Sequence, residues 1–169
     1  QYADGIQGQT FQPLNSGKLI SVKAGVSART ATDNIQVNLY DAPNGNLLAT
    51  SDANVNVPYI GTTFNFVTGT WNFSNANFTL VANTTYFLEF KTVGGTGMFI
   101  GNTLDTYPRG TLYKGSTPGS LAQLSTHDID CLISYGAAGG WDASVLSVEN
   151  GGTGVSTSCL LYTSDAADE

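Results

Sequence analysis

Apolar residues recur at every second position along several short stretches of this chain, and turn-forming residues separate the stretches. In residues 19–26, Ile20, Val22, Ala24 and Val26 fall on one side of a pleated strand. In residues 34–40, Ile35, Val37 and Leu39 share a face, with Gln36 and Asn38 opposite. A period of two places alternate side chains on a core, so these stretches predict half-buried strands. Between them stands Asp41-Ala42-Pro43-Asn44-Gly45-Asn46. Pro presets one turn angle and Asn-Gly accepts positive φ, which predicts a hairpin leading into Leu47 and Leu48. Further on, Phe64 and Phe66, Trp71 and Phe73, and Phe78 and Leu80 alternate with polar residues. After the turn at Asn83-Thr84-Thr85, Tyr86, Leu88 and Phe90 face one way and Phe87, Glu89 and Lys91 the other. Met98-Phe99-Ile100 and Leu112-Tyr113 form short strands. In the last, Ile129, Cys131, Ile133 and Tyr135 share a face. No window keeps an apolar stripe at helical spacing over three turns. About nine or ten short strands with regular turns predict an all-β fold. Its expected form is a two-sheet antiparallel β-sandwich, jelly-roll-like, over residues 1–136.

Composition sharpens this picture. The 169 residues suit one domain, and only 11% are charged, well under the usual quarter. Gly, Thr, Ser and Asn take their place, a mix that favours strands and tight turns over helices. The net charge of −7 and six scattered basic residues argue against a nucleic-acid or anionic-membrane partner. No apolar run approaches the roughly 20 residues that span a bilayer. The chain begins at Gln1 and not at Met, so the lack of a signal sequence says nothing about export. Two cysteines, Cys131 and Cys159, make no disulfide framework, and Cys131 reads as a small buried hydrophobe.

Past Gly136 the character changes. Ala137-Ala138-Gly139-Gly140 reads as a hinge, and residues 137–158 as a Gly-rich link and the start of a further element. Within it, Leu146-Ser147-Val148-Glu149-Asn150-Gly151-Gly152-Thr153-Gly154 resembles a short motif of phage tail fibres, in which an apolar strand runs into Asn-Gly-Gly-Thr-Gly. Gly17-Lys18-Leu19-Ile20-Ser21-Val22, Val37-Asn38-Leu39-Tyr40-Asp41, Thr84-Thr85-Tyr86-Phe87-Leu88 and Tyr107-Pro108-Arg109-Gly110 are similar to jelly-roll, carbohydrate-binding-like modules of phage and bacterial surface proteins. These signatures speak for a fold more than a function. The fibre resemblance implies a virion location, neighbouring fibre subunits in a homotrimer and a bacterial surface glycan as ligand. Residues 159–169, from Cys159 to Glu169, resemble the translation of a transposon-end adapter used in DNA library preparation. On that reading the chain is a metagenomic fragment, and this tail is set aside from fold reasoning.

Candidate chemistry is sparse. The single histidine, His127, precedes Asp128 and Asp130. On a strand it points away from both, so it reads as structural or solvated and not as a metal ligand. The carboxylates of Asp33, Asp41, Asp52, Glu89, Asp105, Asp128 and Asp130 offer no pair set apart for glycoside hydrolysis. The expectation is a protein that is not an enzyme. No cofactor is expected: Asp33-Asn34 and residues 41–46 hold oxygens for a structural calcium, but without a loop ligand pattern calcium is not favoured. Three Asn-x-Ser/Thr sequons, at Asn72, Asn77 and Asn83, are expected by chance in so Asn- and Thr-rich a chain. Aromatic rings stack on sugars. Trp71 alternates with Phe73 and reads as core, whereas Tyr107 sits by Pro108 in a Gly- and Pro-rich loop and is expected to be exposed. Asp105, Tyr107 and Arg109 are therefore the candidate ligand-binding residues. The leading expectation is a non-catalytic structural or adhesion module of a phage tail fibre. The alternatives are a carbohydrate-binding module of a secreted bacterial enzyme or surface protein, extracellular or on the cell surface, and a purely architectural domain.

Overall fold

The computed structural model describes residues 5–59, 66–94, 97–104, 107–116, 119–136 and 143–147. All regular structure among them is β. One sheet has seven strands. Its path runs β12 (Ala122–Leu124), β11 (Leu112–Gly115), β1 (Ile6–Phe11), β8 (Tyr86–Thr92), β3 (Asp33–Tyr40), β4 (Leu47–Thr50), and β5 (Val55–Val57) also pairs with β3. The facing sheet has six: β15 (Ala143–Ser147), β14 (Cys131–Gly136), β2 (Gly17–Ala28) and β6 (Val67–Asn72) in order, with β7 (Thr79–Leu80) and β9 (Met98–Ile100) also pairing with β2. A two-stranded ribbon, β10 (Asn102–Leu104) with β13 (His127–Ile129), completes the described strands. Every named strand pair is antiparallel.

The expected alternation builds the core. Ile35, Val37 and Leu39 on β3 and Leu88 and Phe90 on β8 meet Val22, Ala24, Val26 and Trp71 of the opposite sheet. Trp71 ties the two layers. Its indole N–H donates to the carbonyl of Ile35 at 2.8 Å, and its ring meets Phe90 edge-on at 5.4 Å. A buried indole needs such an acceptor, and the edge-to-face arrangement suits the ring quadrupoles. Toward β9 and β13 the interior turns polar. Gln7 donates to the carbonyl of Met98 at 3.1 Å. Gln9 Nε2 donates to Asp128 Oδ1 at 2.7 Å, while Gln9 Oε1 accepts from the Ile129 amide at 3.0 Å. Cys131 is buried there as a free thiol, and burial pushes its pKa up to about 12.

Two details differ from the simple alternation. Ile20 does not share the face of Val22. Opposite it, Ser134 pairs with Ser21 but Tyr135 pairs with Leu19, so Ile20 is the extra residue of a β-bulge. The bulge turns Leu19 into the core and leaves Ile20 42% exposed. The sheet also does not stop at Gly136, because the backbone of β15 pairs with β14 from Leu132 to Gly136. The turn chemistry follows the sequence: Asn44 and Asn83 adopt positive φ of 60° and 57°.

Trp71→Ala is expected to cost about 3–5 kcal/mol, the usual range for removing a fully buried Trp. In urea unfolding this appears as a lower midpoint with an unchanged slope.

Candidate functional site

Of the three residues expected to bind a ligand, Asp105 lies outside the described residues. Tyr107 is not exposed but buried, at 8%. Its amide donates to Asp128 Oδ2 at 2.7 Å, and its hydroxyl lies 3.3 Å from both the carbonyl and the amide of Gln12. The Asp128 carboxylate draws the loop inward, and the Gln12 backbone covers the phenol. Burial raises the Tyr107 pKa. Arg109 stays on the surface, its Nη1 donating to Asn83 Oδ1 at 3.3 Å. Tyr107 therefore has no open ring face to offer a sugar. His127 is half-buried with its Nδ1 2.9 Å from Thr126 Oγ1, while Asp128 points inward and is fully buried.

The other carboxylates divide by what they bind. Asp33 Oδ1 accepts from the amides of Asn34 and Gly94, each at 2.7 Å. Asp52 accepts from the amides of Ser74 and Asn75, each at 2.9 Å. Asp41 closes its own turn: Oδ1 accepts from the Asn46 amide at 2.7 Å and Oδ2 from the Asn46 side chain at 2.8 Å. These bonds hold the Asp41 pKa below the ordinary carboxylate range. A methyl at Gly45 would overlap Asp41 Oδ1, so glycine is required inside this turn. Among the described residues no group of three or more His, Cys, Asp or Glu side chains is placed to hold a metal.

Glu89 is different, because its partners are side chains. It faces away from the core, as alternation predicts, yet it is only 3% exposed. Its Oε1 accepts from Asn38 Nδ2 at 3.0 Å and from the Tyr40 hydroxyl at 3.2 Å. Register explains the grouping. Glu89 lies opposite Asn38 on one side and Gly8 on the other, and Gly8 in turn lies opposite Tyr113. The neighbouring row sets Phe87 opposite Tyr40. Phe87 lies over Gly8, where any Cβ would overlap its ring. It also packs against Tyr113 edge-on at 5.7 Å and against Tyr40 at 6.3 Å. The Asp41 turn and the segment at Gly119 and Leu121 rise beside these rings, joined by the Leu121 amide to Asn44 Oδ1 at 3.4 Å.

Between them opens a pocket of about 320 Å³ lined by Tyr40, Asn44, Gly45, Phe87, Glu89, Gly119 and Leu121. That is near the lower end of the range for small-molecule sites, roughly 300–1,000 Å³. Burial, then the Glu89 charge and hydrogen bond, push the Tyr40 pKa up to about 12. Tyr40 thus stays a phenol at neutral pH and donates to Glu89. The pocket offers a half-buried aromatic wall, a carboxylate at its floor and backbone groups at its rim. The sequence reading missed it because Tyr40, Glu89 and Leu121 are far apart in the chain. The available signal was Phe87 and Glu89 sharing an outward face with Tyr40 across the sheet.

No known protein family, curated protein or solved structure matches this chain.

Gly8→Ala is expected to displace Phe87 and to destabilise by about 1–3 kcal/mol, as overpacking does; thermal unfolding with near-UV circular dichroism measures both. Tyr107→Phe is expected to cost about 1 kcal/mol and to leave any ligand binding unchanged. For Asp41, a folded pKa below the unfolded value of about 3.9 stabilises the turn above that value, and the effect is lost as pH falls through the lowered pKa. The Asn46 amide resonance should therefore hold steady down to about pH 4 and shift only below it.

Proposed function

We propose that this domain is a non-catalytic, jelly-roll-like adhesion module of a phage tail fibre that binds a bacterial surface glycan in the pocket on the outer face of the larger sheet. The observation that carries the reading is the pocket itself. An aromatic wall at Tyr40 beside acceptor oxygens of Glu89 is the pairing a pyranose uses, with its apolar face on the ring and its hydroxyls on the acceptors. The fibre assignment rests on the resemblance of residues 146–154, of which 148–154 lie outside the described residues. The low charge and scattered lysines fit a surface that meets a polar glycan and not a nucleic acid.

A role in binding and not in catalysis fits the carboxylates: those of Asp33, Asp41, Asp52 and Asp128 accept from backbone amides, and that of Glu89 accepts from Asn38 and Tyr40. A single open pocket of this size suits weak binding, on the order of millimolar or about −4 kcal/mol. In a homotrimeric fibre on the virion, repetition would raise avidity by roughly 10²–10⁴ without better contacts.

On a bacterial glycan array, the chain displayed multivalently is expected to bind a restricted set of saccharides. Tyr40→Ala should lower that binding at least about tenfold; because it also removes a donor to the buried Glu89 and the ring beside Phe87, it lowers the melting temperature too, and binding is compared at a temperature where both proteins are folded. Equal binding by wild type and Tyr40→Ala would sink the pocket as the site. Sequencing across both ends of the gene tests the fibre assignment, which fails if neither fibre repeats nor virion genes adjoin it.

A further inference from the structure

The pocket carries one formal charge and nothing in its lining balances it. Of its seven lining residues only Glu89 carries a carboxylate, and no Lys, Arg or His lines it. Lys91 is the next residue on the same face of β8, yet it makes no ion pair with Glu89 among the described residues. Both donors to Glu89 are neutral, and both reach the same oxygen, Oε1. Beside it, Asn38 Oδ1 is a buried acceptor with no hydrogen-bond partner among the described residues. A carboxylate withdrawn from water without a counter-charge is costly, and so is an unsatisfied buried acceptor. The site is thus short of donors and short of positive charge. Its open side is walled by Tyr40, a ring whose face attracts cations.

We infer that the pocket is built for a protonated amine, and specifically for an amino sugar whose nitrogen is not acylated. The ammonium would donate to Glu89 Oε2 while the sugar ring lies along Tyr40. A neutral hexose offers hydroxyl donors but no charge. An N-acetylated sugar adds bulk where the carboxylate needs a cation. The inference rests on the glycan reading of the same pocket for the sugar, though not for the amine. Charge-assisted hydrogen bonds are stronger than neutral ones by an amount that corresponds to about tenfold to a hundredfold in affinity.

The test is an amide-resolved NMR titration of the full chain at about pH 6, where an amine is protonated. The probes are glucosamine hydrochloride, glucose, N-acetylglucosamine and methylammonium chloride. Glucosamine is expected to shift the Asn44, Gly45, Gly119 and Leu121 signals at a concentration about tenfold or more below that for glucose or N-acetylglucosamine. Glu89→Gln should erase this preference; if that variant does not fold, methylammonium, which keeps the N–H donors, competing with glucosamine on the wild-type chain shows that the ammonium group is what the pocket holds. Equal affinity for glucosamine and glucose overturns the amine inference and leaves the glycan reading standing. Shifts with methylammonium but with no sugar, glucosamine included, overturn the amino-sugar inference together with the glycan reading. No shift with any probe overturns both.

Discussion

Strand β8 is buried on both faces, and much of the molecule follows from that constraint. It lies within the seven-stranded sheet between β1 and β3. Its residues Leu88 and Phe90 enter the core, so the pleat sends Phe87 and Glu89 to the opposite side. An ordinary sandwich leaves that opposite side to water. Here Phe87 and Glu89 are covered as fully as the core residues they alternate with. Covering an aromatic ring is favourable. Covering a carboxylate is not, unless other groups are arranged around it.

That arrangement draws on residues from three other strands and the Asp41 turn. Gly8 removes the side chain that would stand where the Phe87 ring lies. Tyr113 closes one side of the ring and Tyr40 the other. Tyr40 also gives its hydroxyl proton to Glu89, and Asn38 adds a second donor. The Asp41 turn, closed by its own carboxylate on Asn46, holds Asn44 and Gly45 at the rim. Each part serves structure locally, and together they leave a concave site with an acid at its base. The contrast with Asp128 is informative. Both carboxylates are buried, but Asp128 accepts from the amide of Tyr107 and the side chain of Gln9, inside a polar interior closed over by loops. Glu89 instead lines a pocket.

The same pair of environments explains why Tyr107 lost its place as a candidate. A Gly- and Pro-rich loop is usually a surface feature. Asp128 overrides that tendency by accepting from the Tyr107 amide, and a backbone fixed at that depth carries its side chain inward. The bulge at Ile20 works similarly: one inserted residue changes which of two adjacent apolar side chains the core receives. Neither outcome is local in origin. Each depends on a partner more than 20 positions away.

Sequence alone determined the strand class, the core face of β3, β8 and β14, the burial of Trp71 and Cys131, and the turn at Asn44-Gly45. These are set by period-two alternation and by backbone preferences of single residues, which act over a few positions. Tertiary structure alone decided that Glu89 is buried, that Ile20 is expelled, that Tyr107 is covered and that Tyr40, Phe87 and Leu121 face one pocket. Alternation names two sides of a strand but not what covers the second side. That depends on register between strands remote in sequence, and a single-residue slip or bulge reassigns every side chain beyond it.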